Sequence, residues 1–367
     1  MPIARLGGMK KLIQFCLLAG GLFAAESGKV QQVSGLNRHE PVAPLAYKTE
    51  RQAEVPRNVI FMIGDGMSAE HVAAAWICNG GKLNLDHLPY TAVSRTYSAN
   101  RLITDSAAGG TALACGDKTD NGMLGRTPHG RMLYSLAAEF AAPEVGKDVG
   151  LVVTKAITDA TPAAFYAHTS SRKNTEKIAK QLTEAGFKVV VGGGASAFST
   201  QQVEKLKAVP GSHVLLAAAG DCPYAAQRGD MLPQQTQKAL SVLEQSPRGF
   251  FLMIEGSEID SASHQCDLKR AVEEVLDFDR ALGVVLEWMR SHPDTLLVVT
   301  ADHQTGGLTI HGGNIASGEV SASFATTQHT GILVPVFAVG CGAQHFHGIL
   351  DNTAIPHLIR RISQLNQ

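Results

Sequence analysis

Ser106 lies in Thr104-Asp105-Ser106-Ala107-Ala108-Gly109-Gly110-Thr111, a hydroxyl between a carboxylate and a run of small residues. A free serine hydroxyl is a weak nucleophile and needs a base or a metal ion to activate it. Neither a Ser-His-Asp order nor a Gly-x-Ser-x-Gly elbow accompanies it, so activation must come from elsewhere in the chain. Candidates stand after four apolar runs. Asp65 follows residues 58–63. Asp159 and Thr161 follow 149–153. Glu255, Asp260 and His264 follow 249–254, and Asp302 with His303 follows 295–300. His329 adds a further nitrogen, in Gln328-His329-Thr330-Gly331.

Taken singly, such an acid often only caps a helix. Their coincidence at equivalent strand ends points instead to a site. Asp260 and His264 stand four apart, so one helical turn aims both at one ion. Asp302 and His303 are adjacent, and a turn can direct both to one place. Mixed histidine and carboxylate donors suit zinc. The oxygens of Asp65, Thr161 and Glu255 suit a harder ion such as magnesium. Two metals roughly 3.5–4 Å apart can clamp the attacking and leaving oxygens of an in-line displacement. A helix beginning at Ser106 would point backbone N–H groups at an anion, and Arg172 could hold two phosphate oxygens at once. Without these neighbours Ser106 would be a plain N-cap and Arg172 a surface residue. Cys115, on the same helix, is expected to be a small packing residue and not a second nucleophile. The small residues 107–110 would let a phosphoryl group and metals come close.

The elements that must hold these residues follow from the apolar pattern. Runs at 58–63, 149–153, 188–191, 249–254 and 295–300 are continuous, as in strands buried on both faces of a parallel sheet. A late strand falls at 332–339, with Pro335 suggesting an edge or a bulge. Ser68 is a fitting N-cap for a helix through Trp76. Helices are predicted at 175–185 and 267–290, the second with Val272, Val275, Leu276, Leu282, Val285 and Leu286 as its core stripe. Alternating elements predict a three-layer α/β/α architecture with a large, mostly parallel central sheet. Ligands bind such sheets at the carboxyl ends of the strands.

The 367 residues are 44% hydrophobic, enough for a sizeable core, and 32 basic against 33 acidic residues give no bulk attraction to nucleic acid or an anionic membrane. Lys10-Lys11, the apolar run 12–25 and then Glu26-Ser27 have the parts of a secretory signal. The run is too short for an ordinary membrane span, so an exported protein, periplasmic or secreted, without a stable membrane anchor is expected. Residues 26–55 read as an arm or linker, and 56–367 as the catalytic domain. Beyond the signal remain Cys78, Cys115, Cys222, Cys266 and Cys341, with no Cys-x-x-Cys pair. Export permits disulfides, though an odd number leaves at least one thiol over.

Phe61-Met-Ile-Gly-Asp65-Gly-Met67, Thr104 to Thr111, Asp159-Ala-Thr-Pro-Ala-Ala164 with His168 and Arg172, Glu255 to Asp260 with His264, Thr300-Ala-Asp302-His303 and Gln328 to Gly331 together resemble the alkaline phosphatases. All six blocks occur in the family's order. The resemblance implies hydrolysis of phosphate monoesters through a phosphoserine on Ser106. It implies one zinc on Asp260, His264 and His329, and a second on Asp65, Asp302 and His303 that also meets Ser106. It implies magnesium on Asp65, Thr161 and Glu255, with Asp159 beside that set. Arg172 would bind the phosphoryl oxygens, steadied by Asp105, and the protein would be a homodimer. The alternatives are a phosphodiesterase or other phosphotransferase of the same superfamily, and a non-catalytic phosphate- or metal-binding protein. The nucleophile, Arg172 and the third-metal set favour the monoesterase.

Two departures stand out. Ser261 occupies the position where the best-known bacterial members carry a lysine, while Asp159 stays acidic, so its usual charged partner is missing. Weak phosphate retention and fast release are expected on that ground, with the affinity for the third metal in question. The segment 304–328 is short, implying a small crown-like lobe and an open site. Its His311 is expected not to bind metal, and His129, His345 and His347 to lie at the surface or at helix ends.

Overall fold

The computed structural model describes residues 27–45 and 55–365. The export-signal segment, residues 1–25, lies outside them. In chain order the strands are β1 (Gln31–Val33), β2 (Asn58–Gly64), β3 (Tyr90–Arg95), β4 (Asp148–Ala156), β5 (Val189–Gly193), β6 (His213–Leu216) and β7 (Phe250–Gly256). They continue with β8 (Thr295–Thr300), β9 (Gln304–Thr305), β10 (Leu308–Asn314), β11 (Glu319–Phe324), β12 (His329–Thr330), β13 (Val334–Gly340) and β14 (Gly348–Asp351). The central sheet has nine strands in the order β14-β3-β13-β8-β2-β7-β4-β5-β6. From β8 to β6 every pairing is parallel, whereas β13 runs antiparallel to both β3 and β8. Helices pack on both faces of this sheet, giving the three layers expected.

Each central strand feeds two cores, because successive side chains point to opposite faces. Ile60 and Met62 of β2 pack with Val272, Val275, Leu282 and Val285 of the helix Leu268–Met289. Val59, Phe61 and Ile63 pack on the other face with Ala107, Leu113 and Ala114 of the helix Ser106–Cys115, and with Phe140. Burial on both faces explains why these strands are unbroken apolar runs. The less apolar strands β3, β6 and β14 escape that pattern. Residues of β6 are only partly buried, and β3 alternates at its exposed start.

The late strand corrects the expectation for Pro335. It is internal and not at an edge, lying between β3 and β8. The register with β8 begins only at Phe337, two residues past the proline, so no bond of that ladder depends on a Pro335 N–H. The N-terminal arm lies on its own chain. Its β1 joins the β10–β11 hairpin in a three-stranded antiparallel sheet, and Gln31 Oε1 accepts from the Leu268 N–H at 3.1 Å. That hairpin is the whole of the short lobe after His303. Cys78, Cys115, Cys222 and Cys266 are buried free thiols, and the Cys341 Sγ donates to the Pro293 carbonyl at 3.4 Å.

The small residues of the helix Ser106–Cys115 serve packing first. A Cβ on Gly109 would meet the Asp302 carbonyl at 2.9 Å, and one on Gly110 the Thr161 Cα at 3.1 Å. These glycines let the helix that opens at Ser106 lie against the Asp302 and Thr161 segments, a packing reason for their small size. Gly109→Ala is therefore expected to destabilise the fold. Overpacking against fixed backbone costs about 1–3 kcal/mol, more than the roughly 1 kcal/mol that alanine gains over glycine in a helix. A thermal melt checks this, and a melting temperature equal to or above wild type would refute it.

Candidate active site

Asp65, Asp159, Thr161, Glu255, Asp260, His264, Asp302 and His303 lie at or just after the carboxyl ends of the parallel strands β2, β4, β7 and β8. In β2 and β7, Ile63 pairs with Glu255, which brings Asp65 and Glu255 side by side. Asp302 and His303 leave β8, next to β2 on its other side. His329 arrives last, through a two-residue pairing in which it faces Thr305. Gly66 turns the chain at φ +71°, and a Cβ there would strike Thr305 Oγ1 at 2.6 Å. Only glycine permits that turn beside the site.

Two ligand groups form, Asp260-His264-His329 and Asp65-Asp302-His303, each with donor atoms within 4.8 Å of one another. In the first, Nε2 of His264 and Nε2 of His329 lie 3.2 and 3.4 Å from Asp260 Oδ1. The opposite ring nitrogens donate to backbone carbonyls, His264 Nδ1 to Thr327 at 2.6 Å and His329 Nδ1 to Thr104 at 2.8 Å. Such bonds leave each Nε2 free to bind a metal. In the second group His303 Nε2 lies 3.2 Å from Asp302 Oδ2 and 3.5 Å from Asp65 Oδ1. Thr305 Oγ1 donates to Asp260 Oδ1 at 2.6 Å and lies 3.3 Å from His303 Nδ1, so it ties the two groups together. A third set is all oxygen: Thr161 Oγ1 donates to Asp65 Oδ2 at 3.4 Å, with Glu255 on the adjoining strand.

Ser106 opens its helix with Asp105 as N-cap, whose Oδ1 accepts from the Ala108 N–H at 3.0 Å. Ser106 Oγ stands 3.1 Å from His303 Nε2. Arg172 reaches Asp159 Oδ1 at 3.0 Å and Asp105 Oδ2 at 3.5 Å. An open pocket of about 370 Å³ exposes Ser106, Arg172, His264 and His329, with Ile103, Asn121 and Gln328 at its rim.

The electrostatics call for cations. Asp65 Oδ1, Asp302 Oδ2 and both oxygens of Glu255 are buried without a hydrogen-bond partner among the described residues. Burial, and then the neighbouring Asp302, push the Asp65 carboxyl well above the usual carboxylate range; burial and Asp159 do the same to Glu255. Asp302 is pushed up to about 6 by burial and by Asp260. Burial and the nearby His329 hold the His303 imidazole well below its usual value, hence neutral. A neutral imidazole at His303, crowded carboxylates and orphaned oxygens fit divalent metals.

The structure corrects one sequence expectation. Asp159 does not lack a charged partner: Arg172 binds it, and burial notwithstanding, Lys155 and Arg172 hold its carboxyl below the usual range. Lys155, on β4, is buried with Nζ 3.3 Å from Asp260 Oδ2. Ser261 itself brings no charge, and the buried cation beside Asp260 comes from another strand. The available signal was a lysine closing the apolar run 149–154. Thr305 had no such signal. His311 bonds Ser323 Oγ at 2.7 Å in the hairpin, away from the ligand groups, and His129, His345 and His347 are exposed. His168 bonds the Leu133 carbonyl at 2.7 Å. Burial pushes the Cys115 thiol up to about 12, consistent with inert packing.

The family model of alkaline phosphatase matches residues 56–214 and 206–324. Alkaline phosphatase 4 of Bacillus subtilis is 31% identical over 450 residues, covering 94% of each chain. Streptomycin-6-phosphate phosphatase of Streptomyces griseus is 31% identical, covering 84% of this chain and 90% of its own. The structure of alkaline phosphatase from the Antarctic bacterium TAB5 superposes with a TM-score of 0.78 at 30% identity, over 85% of this chain and 99% of that one. A mutant of the TAB5 enzyme with Mg bound in its M3 site aligns with the same TM-score.

Asp302 also sets a pH dependence. An aspartate that ionises near 3.9 when unfolded but near 6 here favours folding in its protonated form. The metal-free chain therefore loses that stability as the pH climbs from about 4 through about 6. Metal binding requires the ionised carboxylate and removes the penalty. The rise in melting temperature on adding zinc to chelator-treated protein is expected to be larger at about pH 8 than at about pH 5; an equal or smaller rise at the higher pH would contradict this.

Proposed function

This chain belongs to the alkaline phosphatase family and is a phosphoric monoester hydrolase, and we propose that Ser106 is its phosphorylated nucleophile. The observation that carries this reading is the placement of Ser106 Oγ, at a helix N-terminus, 3.1 Å from His303 Nε2 and in one pocket with Arg172. Asp260, His264 and His329 would hold one zinc; Asp65, Asp302 and His303, with Ser106, the second. Asp65, Thr161 and Glu255 would hold magnesium, the ion named for the TAB5 mutant. When bound, such ions acidify the serine hydroxyl and the hydrolytic water and balance charge on the phosphoryl oxygens.

Ser106 Oγ, its proton passed to solvent, attacks phosphorus as the ester oxygen departs with the bonding pair and takes a proton back. Water then attacks the phosphoserine, the P–Oγ bond breaks, Oγ recovers a proton from that water, and phosphate is released. Arg172 holds two non-bridging oxygens in its planar fork. Asp105 and Asp159 grip its nitrogens from two sides and so fix its plane. The first N–H groups of the helix Ser106–Cys115 point toward the same anion.

The signal-like residues 1–25 support export, and no helix among the described residues is long and apolar enough to cross a membrane. Leu102, Ile103, Ile332 and Leu333 expose apolar surface, which supports a homodimer. The test of the mechanism is phosphate release from an aryl phosphate at alkaline pH. Chelation is expected to abolish release and zinc with magnesium to restore it. Ser106→Ala is expected to lower kcat by roughly a thousandfold or more. Full activity in the alanine variant would sink the phosphoserine mechanism.

A further inference from the structure

Lys155 is the cation that the motif blocks do not contain. It leaves β4 at the edge where the ligands gather, and only 9% of the residue is exposed. Its Nζ lies 3.3 Å from Asp260 Oδ2, while Asp260 Oδ1 faces His264 and His329. Each oxygen of this carboxylate therefore has its own task. The ammonium's field extends further, to Asp65, Asp159 and Glu258, and it also acts on Glu255. Asp65 and Glu255, with Thr161, are the oxygen set that would take the third, hard cation. A fixed positive charge thus stands beside that place, supplied by the chain itself.

We propose that Lys155 is a resident cation that competes with the third metal, so that this enzyme holds two metal ions tightly and magnesium only weakly. The inference rests on the metal assignment proposed above. Its physical basis is simple repulsion. In the sheet Val153 pairs with Glu255, so Lys155 leaves the adjoining strand two residues past that pair, and a unit charge so near a divalent ion in a partly desolvated site changes that ion's affinity by about tenfold or more even with strong screening. The same charge neutralises part of the carboxylate cluster when magnesium is absent, so the third ion is less needed for charge balance. Lys155 does not touch substrate here; it is a positioning and charge-balancing residue.

The test measures magnesium binding and not turnover. Chelator-treated wild type, Lys155→Met and Lys155→Gln are reloaded with zinc, and their zinc content is measured first. Equilibrium dialysis against magnesium with elemental analysis then gives the magnesium Kd of each. Both variants are expected to bind magnesium about tenfold or more tightly than wild type. Unchanged or weaker binding in both overturns the proposal. Tighter binding in the methionine variant alone also overturns it, because glutamine still donates to Asp260 and that result would mark Lys155 as a mere clip. Should neither variant fold, the wild type decides: a magnesium site already saturated at micromolar magnesium refutes the proposal, and one still empty there supports it. Failure of the underlying metal assignment is read separately, as wild-type protein that takes up no zinc before magnesium is added.

Discussion

Buried carboxylates crowded at one edge of a sheet must be neutralised, and the rest of the site answers to that constraint. Asp65, Glu255, Asp260 and Asp302 are all buried within the reach of a few strand ends. Left to themselves, such groups keep their protons, as the upward pull on Asp65, Glu255 and Asp302 shows. Asp260 differs: burial raises it, but Lys155 and the two histidines more than reverse that and hold it ionised. Ionic character is therefore unevenly distributed. One ligand group holds an ionised Asp260 before any metal arrives, while in the other Asp302 ionises only above about pH 6 and Asp65 is held well above the usual carboxylate range.

Packing turns this charge cluster into an active site. The helix carrying Ser106 is buried along its whole length and approaches the Asp302 and Thr161 segments at distances that only glycine allows. That proximity puts the hydroxyl beside His303. Backbone carbonyls of Thr104 and Thr327 fix the ring orientation of His329 and His264. Thr104 does so from two residues before Ser106, so the orientation of His329 and the position of Ser106 are mechanically linked.

Much of this was legible along the chain. The unbroken apolar runs identified the central strands, because burial on both faces removes polar alternation. The ligands followed, because a parallel sheet gathers the residues after its strands at one edge. What escaped was either locally unremarkable or depended on partners far away. Strands β3 and β14 lack a distinctive pattern and are recruited by pairing with neighbours. Pro335 suggested an edge, yet the sheet tolerates it inside because the adjoining register starts beyond it. Lys155, more than a hundred positions earlier in the chain, stands beside Asp260 although no motif block contains it.

Sequence alone determined the chemistry available: a serine before a helix of small residues, an arginine, and histidine and carboxylate donors after successive strands. Residue type and spacing carry that information because they dictate local direction and donor strength. Tertiary structure alone decided the charge balance, namely which carboxylates stay ionised, that Asp159 is paired with Arg172, and that Lys155 stands among the metal ligands. The physical reason is that electrostatic energy depends on distance and burial in space, and neither can be read from separation along a chain.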